Sequence, residues 1–133
     1  MARVDDLTAW APRVLSVARI VSGLIFLEHG TQKLLGFPPS DRAVEALSLS
    51  WFAGVIELVC GALIAIGLLT RPAAFLASGL MAFAYWLAHA PQSLFPVNNA
   101  GDAAILYCFF FLYLVFAGAG PWSVDAARSK AAA

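Results

Sequence analysis

Residues 51–71, WFAGVIELVCGALIAIGLLTR, decide the fold because they place one carboxylate, Glu57, inside an otherwise apolar run. A charged side chain at the centre of a membrane helix costs about 3 kcal/mol or more unless it is paired or faces a polar cavity. Gly54 and Gly61 lie three residues before and four residues after Glu57, so all three share one helical face. Small residues on that face let a second helix approach closely. The stretch therefore predicts a helix whose Glu57 face turns into a bundle and away from lipid.

The composition of the whole chain indicates that lipid is its main solvent. Of the 133 residues, 62% are hydrophobic and 12% are charged, and the mean hydropathy is +0.82. A soluble domain of this size cannot bury so much apolar surface. The formal net charge is zero, so no basic surface for nucleic acid is expected. We predict an all-α membrane protein with the lipid bilayer as a partner and no nucleic-acid partner.

Four apolar runs predict a transmembrane four-helix bundle. They cover residues 13–27 with an extension toward residue 35, then 51–69, 73–88 and 102–117. Gly36 and the two prolines after it end the first run, and residues 70–72 predict a tight turn after the second. Residues 41–49 predict a short amphipathic surface helix between helices 1 and 2, with Ser40 as its N-cap.

The expected domain organisation is an interfacial segment over residues 1–12, a transmembrane domain over residues 13–118 and a tail over residues 119–133. The first apolar run ends at Glu28-His29 without a small-residue cleavage site. We therefore expect this run to be retained as a span and not removed as a signal peptide.

The lysines and arginines predict the orientation of the four spans. Both termini and the 70–72 turn fall on one side, which carries Arg3, Arg13, Arg71, Arg128 and Lys130. The opposite side carries only Lys33 and Arg42. Because positive charge accumulates on the cytoplasmic face, we predict a multi-pass protein of the bacterial inner membrane with cytoplasmic N- and C-termini.

This orientation places several polar side chains at the outer ends of the spans. Glu57 lies roughly 9 Å below the outer surface at the helical rise per residue. His29 and Lys33 close the first span on that side, and His89 ends the third. A buried charge must be paired, so His29 or Lys33 is the expected partner of Glu57. The alternatives are a protonated Glu57 bonded to a hydroxyl or backbone group, or pairing with Arg19 or water.

Two arginines lie toward the inner side. Arg19 is about 10 Å from the depth of Glu57 and shares a helical face with Gly23 and Gly30. Its side chain either points into the bundle, toward the C-terminal end of the second helix, or extends to the inner headgroups. Arg71 lies at the inner turn.

Metal and resident cofactor sites are not expected. His29, His89 and Glu57 come from three different helices with no ligand spacing, so we predict no metal. Cys60 and Cys108 lack a C-x-x-C pattern and are expected to be structural thiols, with a disulfide or redox role left open. No haem, nucleotide or flavin motif is present, so a redox cofactor would be a mobile quinone or would belong to a partner.

The order of four motifs resembles the DoxX family of small four-helix bacterial membrane proteins. These motifs are HGxxKLxGF at residues 29–37, GxxExxxG at 54–61, GLLTRPAA at 67–74 and GAGPWSVD at 118–125. The resemblance covers about residues 15–126. It implies a shared site at Arg19, His29, Gly30, Lys33, Glu57, Gly61, Thr70 and Arg71. It also implies a link to a terminal-oxidase and thiosulfate:quinone oxidoreductase system, and to thiol and oxidative-stress complexes.

These observations lead to three functional hypotheses. The first is a redox-linked membrane subunit that binds a quinone-like or other small hydrophobic molecule between the helices, with Glu57 as proton acceptor or hydrogen-bond anchor. The candidate ligand-binding residues are Glu57, His29, Lys33, Arg19, Arg71 and His89. The second is a non-enzymatic scaffold for partner redox proteins, and the third is a small permease that works as a homo-oligomer. Whether the chain is an enzyme is left open.

Overall fold

The computed structural model of the chain describes residues 4–41 and 44–133, and the regular structure in these residues is helical throughout. The α-helices are α1 (Val4–Thr8), α2 (Ala11–Leu35), α3 (Leu49–Ile66), α4 (Thr70–Ala84), α5 (Pro96–Asn99), α6 (Asp102–Ala117) and α7 (Val124–Ala131). A π-helical turn, Tyr85–His89, continues α4. The all-α prediction is confirmed. Arg3 and Arg42, which entered the predicted orientation, lie outside the described residues.

Glycines end two of the long helices; the end of α2 lies where the sequence predicts, whereas α3 ends at Ile66, before the predicted residue 69. Gly36 follows α2 with φ 66°, and Gly67 follows α3 with φ 70°. Both residues are in the left-handed region that favours glycine, and their amides bond to carbonyls of the last helical turn. The C-terminal ends of α2 and α3 are therefore encoded by the local sequence.

The prediction of an amphipathic surface helix at residues 41–49 is wrong. The described residues between α2 and α3 form loops, bends and turns. Ser48, and not Ser40, is a helix N-cap, since its side chain accepts a hydrogen bond from the amide of Trp51 at 3.2 Å. A segment of this length is too short to be a stable helix without strong packing.

The prediction of a turn at residues 70–72 is also wrong, because α4 begins at Thr70. Pro72 lies in its first turn, where the missing N–H of proline costs nothing. Asp125 lies in the first turn of α7. Its carboxylate accepts hydrogen bonds from the amides of Leu69 and Thr70, both at 2.9 Å. A residue distant in sequence thus caps α4.

Helices α2 and α3 pack with their backbones in direct contact. A Cβ atom added at Gly30 would lie 2.4 Å from the amide nitrogen of Leu58, and one added at Gly61 would lie 2.6 Å from that of Leu27. Gly23 makes an equally close approach to Ala65. The predicted role of the small-residue face is confirmed.

One core joins the four longest helices, α2, α3, α4 and α6. Its centre contains Ile64 of α3, Ala77 of α4 and Leu114 of α6. Phe26 of α2 reaches the same core, with its ring centroid 4.9 Å from that of Phe111. Cys60 is buried here, and both cysteines are free thiols.

The described surface is unusually apolar, and several polar side chains lie in or beside the apolar core. The buried polar residues are Ser16, Arg19, Glu57, Thr70, Ser78 and Asn99. Large apolar side chains are exposed instead along the long helices, such as Leu24 and Phe109. Within the described residues, α3 is the one helix both long and apolar enough to cross a membrane, and α6 is apolar but shorter. The four-span arrangement stays a prediction.

Candidate functional site

The predicted ion pair of Glu57 is present. Nζ of Lys33 lies 2.7 Å from Oε1 of Glu57. The side chain of Glu57 is 5% exposed and that of Lys33 is 29% exposed. A Cβ atom at Gly54 would lie 3.0 Å from the Cβ of Lys33, so Gly54 leaves room for the lysine stem beside α3. Lys33, and not Arg19, neutralises the buried carboxylate.

An open cavity of about 1010 Å³ lies over this pair, at the end of the molecule that we name the Lys33 end. Its apolar wall includes Phe26, Met81 and Tyr107, from three different helices. Its polar wall consists of the ion pair together with the following residues: His29, His89, Gln32, Ser40, Asp41, Glu45, Ser48 and Ser50. The segment before α3 thus forms one side of the cavity, although it is not helical.

The second carboxylate oxygen of Glu57 is unpartnered. Oε2 is buried, and none of the described residues donates a hydrogen bond to it. A carboxylate whose other oxygen is bound to an ammonium group can only accept hydrogen bonds. A buried acceptor left unsatisfied costs about 1–3 kcal/mol. Glu57 therefore offers the cavity an acceptor for a donor group of a ligand.

His89 is held in one orientation at the cavity wall. Its Nδ1 lies 2.9 Å from the carbonyl oxygen of Asn99, and its ring stacks on Tyr85 at 6.5 Å between centroids. Asn99 is itself 1% exposed and donates to the carbonyl of Ser93 at 2.9 Å. Because a carbonyl only accepts, Nδ1 of the neutral imidazole carries the proton and Nε2 is an acceptor.

Metal-ligating groups do not converge in the part of the chain that the structure describes. No set of three or more His, Cys, Asp or Glu side chains there is placed to hold a metal ion. His29 and His89 both line the cavity, as expected from their positions at the helix ends. Both imidazoles can form hydrogen bonds with a ligand in the cavity.

Arg19 lies far from the cavity, at the opposite end of the helices, which we name the Arg71 end. Its side chain is fully buried and donates to four carbonyl oxygens. Two of these oxygens belong to Ile64 and Ala65, at 2.6 and 2.7 Å, and both residues lie in the last turn of α3. The others belong to Ala119 at 2.7 Å and Trp122 at 2.5 Å. The inward orientation toward the C-terminal end of the second long helix is confirmed.

Arg71 occupies an equivalent position at the end of α6. Its Nη1 donates to the carbonyl oxygens of Val115 and of Phe116, the latter at 2.8 Å. These carbonyls lack partners within their own helix. The structure thus separates the six candidate residues, with Glu57, Lys33, His29 and His89 at the cavity and Arg19 and Arg71 at the other end.

Asp125 docks α7 at the Arg71 end. Burial acts to raise the pKa of its carboxyl, but the amides of Thr70 and Leu69 and the charge of Arg128 outweigh burial and lower the pKa below its usual range. Its own amide donates to the carbonyl of Gly67 at 2.8 Å. This role of Asp125 could not be predicted from the sequence, in which the signal is limited to the position of Asp125 at the end of the GAGPWSVD motif.

Comparisons with known proteins agree with the resemblance seen in the motifs. The DoxX family model matches residues 14–90. An uncharacterized protein of Haemophilus influenzae is 40% identical over 92% of this chain and 96% of its own length. An uncharacterized membrane protein of Mycobacterium tuberculosis is 31% identical over 91% of this chain and 84% of its own length. No solved structure matches the chain significantly.

Proposed function

The chain belongs to the DoxX family and is a membrane protein, and from this premise we propose that it binds a quinone-like small molecule in the cavity beside Glu57, as a redox-linked subunit with four transmembrane helices. The observation that carries the proposal is the Lys33–Glu57 pair, whose buried carboxylate has one unpartnered oxygen, at a cavity of about 1010 Å³. Pockets for small ligands have a similar size and also combine apolar walls with polar groups, although the polar share of this cavity is larger than usual.

The large apolar side chains exposed along the long helices support four membrane-spanning helices. At 1.5 Å per residue, α2 is about 37 Å long, α3 about 27 Å, α4 with its π-helical turn about 30 Å and α6 about 24 Å. The hydrocarbon core of a bilayer is about 30 Å thick. Backbone and polar groups inside this region need partners within the protein, and Arg19 and Arg71 satisfy the carbonyls at the ends of α3 and α6.

The charge distribution supports an inner-membrane orientation with both termini in the cytoplasm. Among the described residues, Arg13, Arg71, Arg128 and Lys130 lie at the Arg71 end, and Lys33 lies at the opposite end. Because positive charge favours the cytoplasmic side, the Arg71 end would face the cytoplasm. The cavity would then open toward the outer side of the membrane.

The residues at the cavity suit the headgroup of a quinone. Phe26 and Tyr107 form an aromatic wall with ring centroids 5.7 Å apart, against which a flat ring packs well. Glu57, Lys33 and His89 bind oxygen atoms and exchange protons but carry no electrons. The electrons would therefore belong to the mobile ligand and to partner redox proteins.

The test is the binding of a short-chain ubiquinone, in its oxidised and its reduced form, to the protein in lipid nanodiscs. Ala88 lines the cavity, so Ala88→Trp should weaken binding of both forms at least tenfold by filling the space. Leu87 is 59% exposed and does not line the cavity, so Leu87→Trp is the matched control and should bind as the wild type. Wild-type protein that binds neither form, or an Ala88→Trp variant that binds normally, would contradict the proposal.

A non-enzymatic scaffold is the second candidate function. It is favoured by Arg19 and Arg71, two positions of the family pattern whose side chains bond to backbone carbonyls of the protein itself. A scaffold would hold redox partners or a second copy through its exposed apolar faces. Co-purification in mild detergent separates the two functions, because a scaffold retains its partners in the Ala88→Trp variant and binds no quinone.

A further inference from the structure

We propose that the cavity selects the reduced, dihydroxy form of its quinone-like ligand, because the fixed groups on its polar wall include acceptors that only a hydroxyl-bearing ligand can satisfy. The inference rests on the proposed function and deepens it by naming the redox form of the ligand. A quinone has carbonyl oxygens, which accept hydrogen bonds and donate none. The corresponding quinol has two hydroxyl groups, which do both.

Oε2 of Glu57 is the first acceptor. It is buried, lies on a residue that lines the cavity, and receives no hydrogen bond from any residue that the structure describes. The other oxygen of this carboxylate is bound to Lys33 at 2.7 Å, so the carboxylate has no proton to offer to a quinone carbonyl. A quinol hydroxyl can donate to Oε2, whereas a quinone carbonyl would place two acceptors side by side.

Nε2 of His89 is the second acceptor. The hydrogen bond between Nδ1 and the Asn99 carbonyl, at 2.9 Å, assigns the ring proton of the neutral imidazole to Nδ1. The side chain of Asn99 bonds to the carbonyl of Ser93 and to the amide of Gly101. These bonds hold in place the residue whose backbone carbonyl accepts from His89. The second hydroxyl of a quinol therefore has an acceptor on the same cavity wall.

Lys33 does not reverse this preference. Its ammonium group has protons left after bonding Glu57, and these can serve an oxygen of either the quinone or the quinol. The difference between the two forms therefore lies in Glu57 and His89, where a quinone leaves the buried Oε2 of Glu57 and Nε2 of His89 without a donor. Sites built to bond a hydroxyl discriminate strongly against analogues that lack it.

Selective binding of the reduced form has a redox consequence. A ligand that is bound more tightly when reduced has a higher midpoint potential in the site than in the bilayer. For a two-electron couple, a tenfold preference corresponds to about 30 mV. The site would thus hold the quinol until a partner with a higher potential oxidises it.

The experiment compares three ligands on the wild-type protein in nanodiscs under argon: decyl-ubiquinone, its quinol and the dimethyl ether of that quinol. The dimethyl ether keeps the ring and both oxygen atoms of the quinol but carries a methyl group in place of each hydroxyl proton, so it has no donor. We expect the quinol to bind at least tenfold more tightly than both other ligands. In Glu57→Gln the amide can donate to a carbonyl, so the ratio of quinol to quinone affinity should fall toward one.

Glu28→Gln is the matched control, since Glu28 is an exposed residue of α2 that does not line the cavity. It should keep the wild-type ratio. Equal binding of quinone, quinol and ether by the wild type overturns the inference and leaves the proposed function standing. Binding of none of the three overturns both. If Glu57→Gln does not fold, the three ligands on the wild-type protein still decide the outcome.

Discussion

Nζ of Lys33 and Oε1 of Glu57 lie 2.7 Å apart, and this contact joins the last turn of α2 to the middle of α3 at the cavity. Both charges are removed from bulk water, although Lys33 keeps more exposure than Glu57. The pair therefore links the stability of the α2–α3 contact to the chemistry of the candidate site.

Replacing Lys33 by Met should destabilise the protein by about 1–3 kcal/mol. Met retains the apolar stem but leaves the Glu57 carboxylate buried and unpaired. The expected loss is smaller than the usual cost of breaking a buried pair, because Lys33 is partly exposed. Denaturant unfolding in detergent micelles measures the change. The double variant Lys33→Met/Glu57→Gln should recover part of the loss, and a Lys33→Met protein as stable as the wild type would contradict the importance of the pair.

Gly30→Ala should separate α2 from α3 and cost about 2–3 kcal/mol. The added Cβ would lie 2.4 Å from the amide nitrogen of Leu58, where only backbone can move. Gly79→Ala is the control, because nothing lies within 4 Å of a Cβ at that position of α4, and it should be neutral or stabilising by up to about 1 kcal/mol. Thermal unfolding of both variants checks the difference, which a similar loss in each would contradict.

The α2–α3 contact shows how much of the fold could be predicted from sequence. Gly54 and Gly61 share a face with Glu57, so local periodicity was sufficient to predict a close helical contact and a paired acid. Depth narrowed the expected partner to His29 or Lys33, which lie at the same end as Glu57, and the structure shows that it is Lys33. Arg19 could be placed at the other end by the same count.

Other features depend on contacts that no local pattern reveals. Asp125 caps α4 through the amides of Leu69 and Thr70, which are 56 and 55 residues away in sequence. Because the local sequence does not reveal this contact, it predicts a turn at residues 70–72. The amphipathic composition of residues 41–49 favours a separate helix, but Ser48 within this segment is the N-cap of α3. Asn99, which orients His89, gave no signal in the sequence because its role comes from tertiary hydrogen bonds.

Arg19→Lys should destabilise the Arg71 end by about 3 kcal/mol or more. A lysine cannot reproduce the planar arrangement that reaches the carbonyls of Ile64, Ala119 and Trp122 together, so some of them would stay buried without a donor. Arg13→Lys is the control, since its guanidinium contacts only the exposed ring of Trp10 at 4.9 Å in the described structure. Limited proteolysis after residue 118 should be faster in Arg19→Lys alone, and equal rates would count against this role.

Docking of α7 should depend on pH through Asp125. Its pKa is lower in the folded protein than the ordinary value of about 3.9. The contribution to stability is therefore complete above that ordinary value and is lost as the pH falls through the lowered pKa. A nitroxide label at Ala131→Cys, in a chain without the native cysteines, should become more mobile as the pH falls through that lowered pKa.

The control for this titration is Asp125→Asn. Asn caps a helix nearly as well as Asp but does not ionise in this range, so the label in this variant should show the same mobility at pH 3 and pH 7. A pH response that persists in Asp125→Asn would assign the effect to another group.

The claim that the cavity at the Lys33 end is the ligand site is tested most directly by photo-crosslinking an azido-quinone, with an excess of quinol as competitor, to the wild-type protein in nanodiscs. Mass spectrometry then identifies the labelled peptides. The account predicts that labelling removable by competition falls within residues 26–33, 44–57, 81–89 and 100–107, which border the cavity. Labelling confined to lipid-facing side chains, or to the Arg71 end, would contradict it.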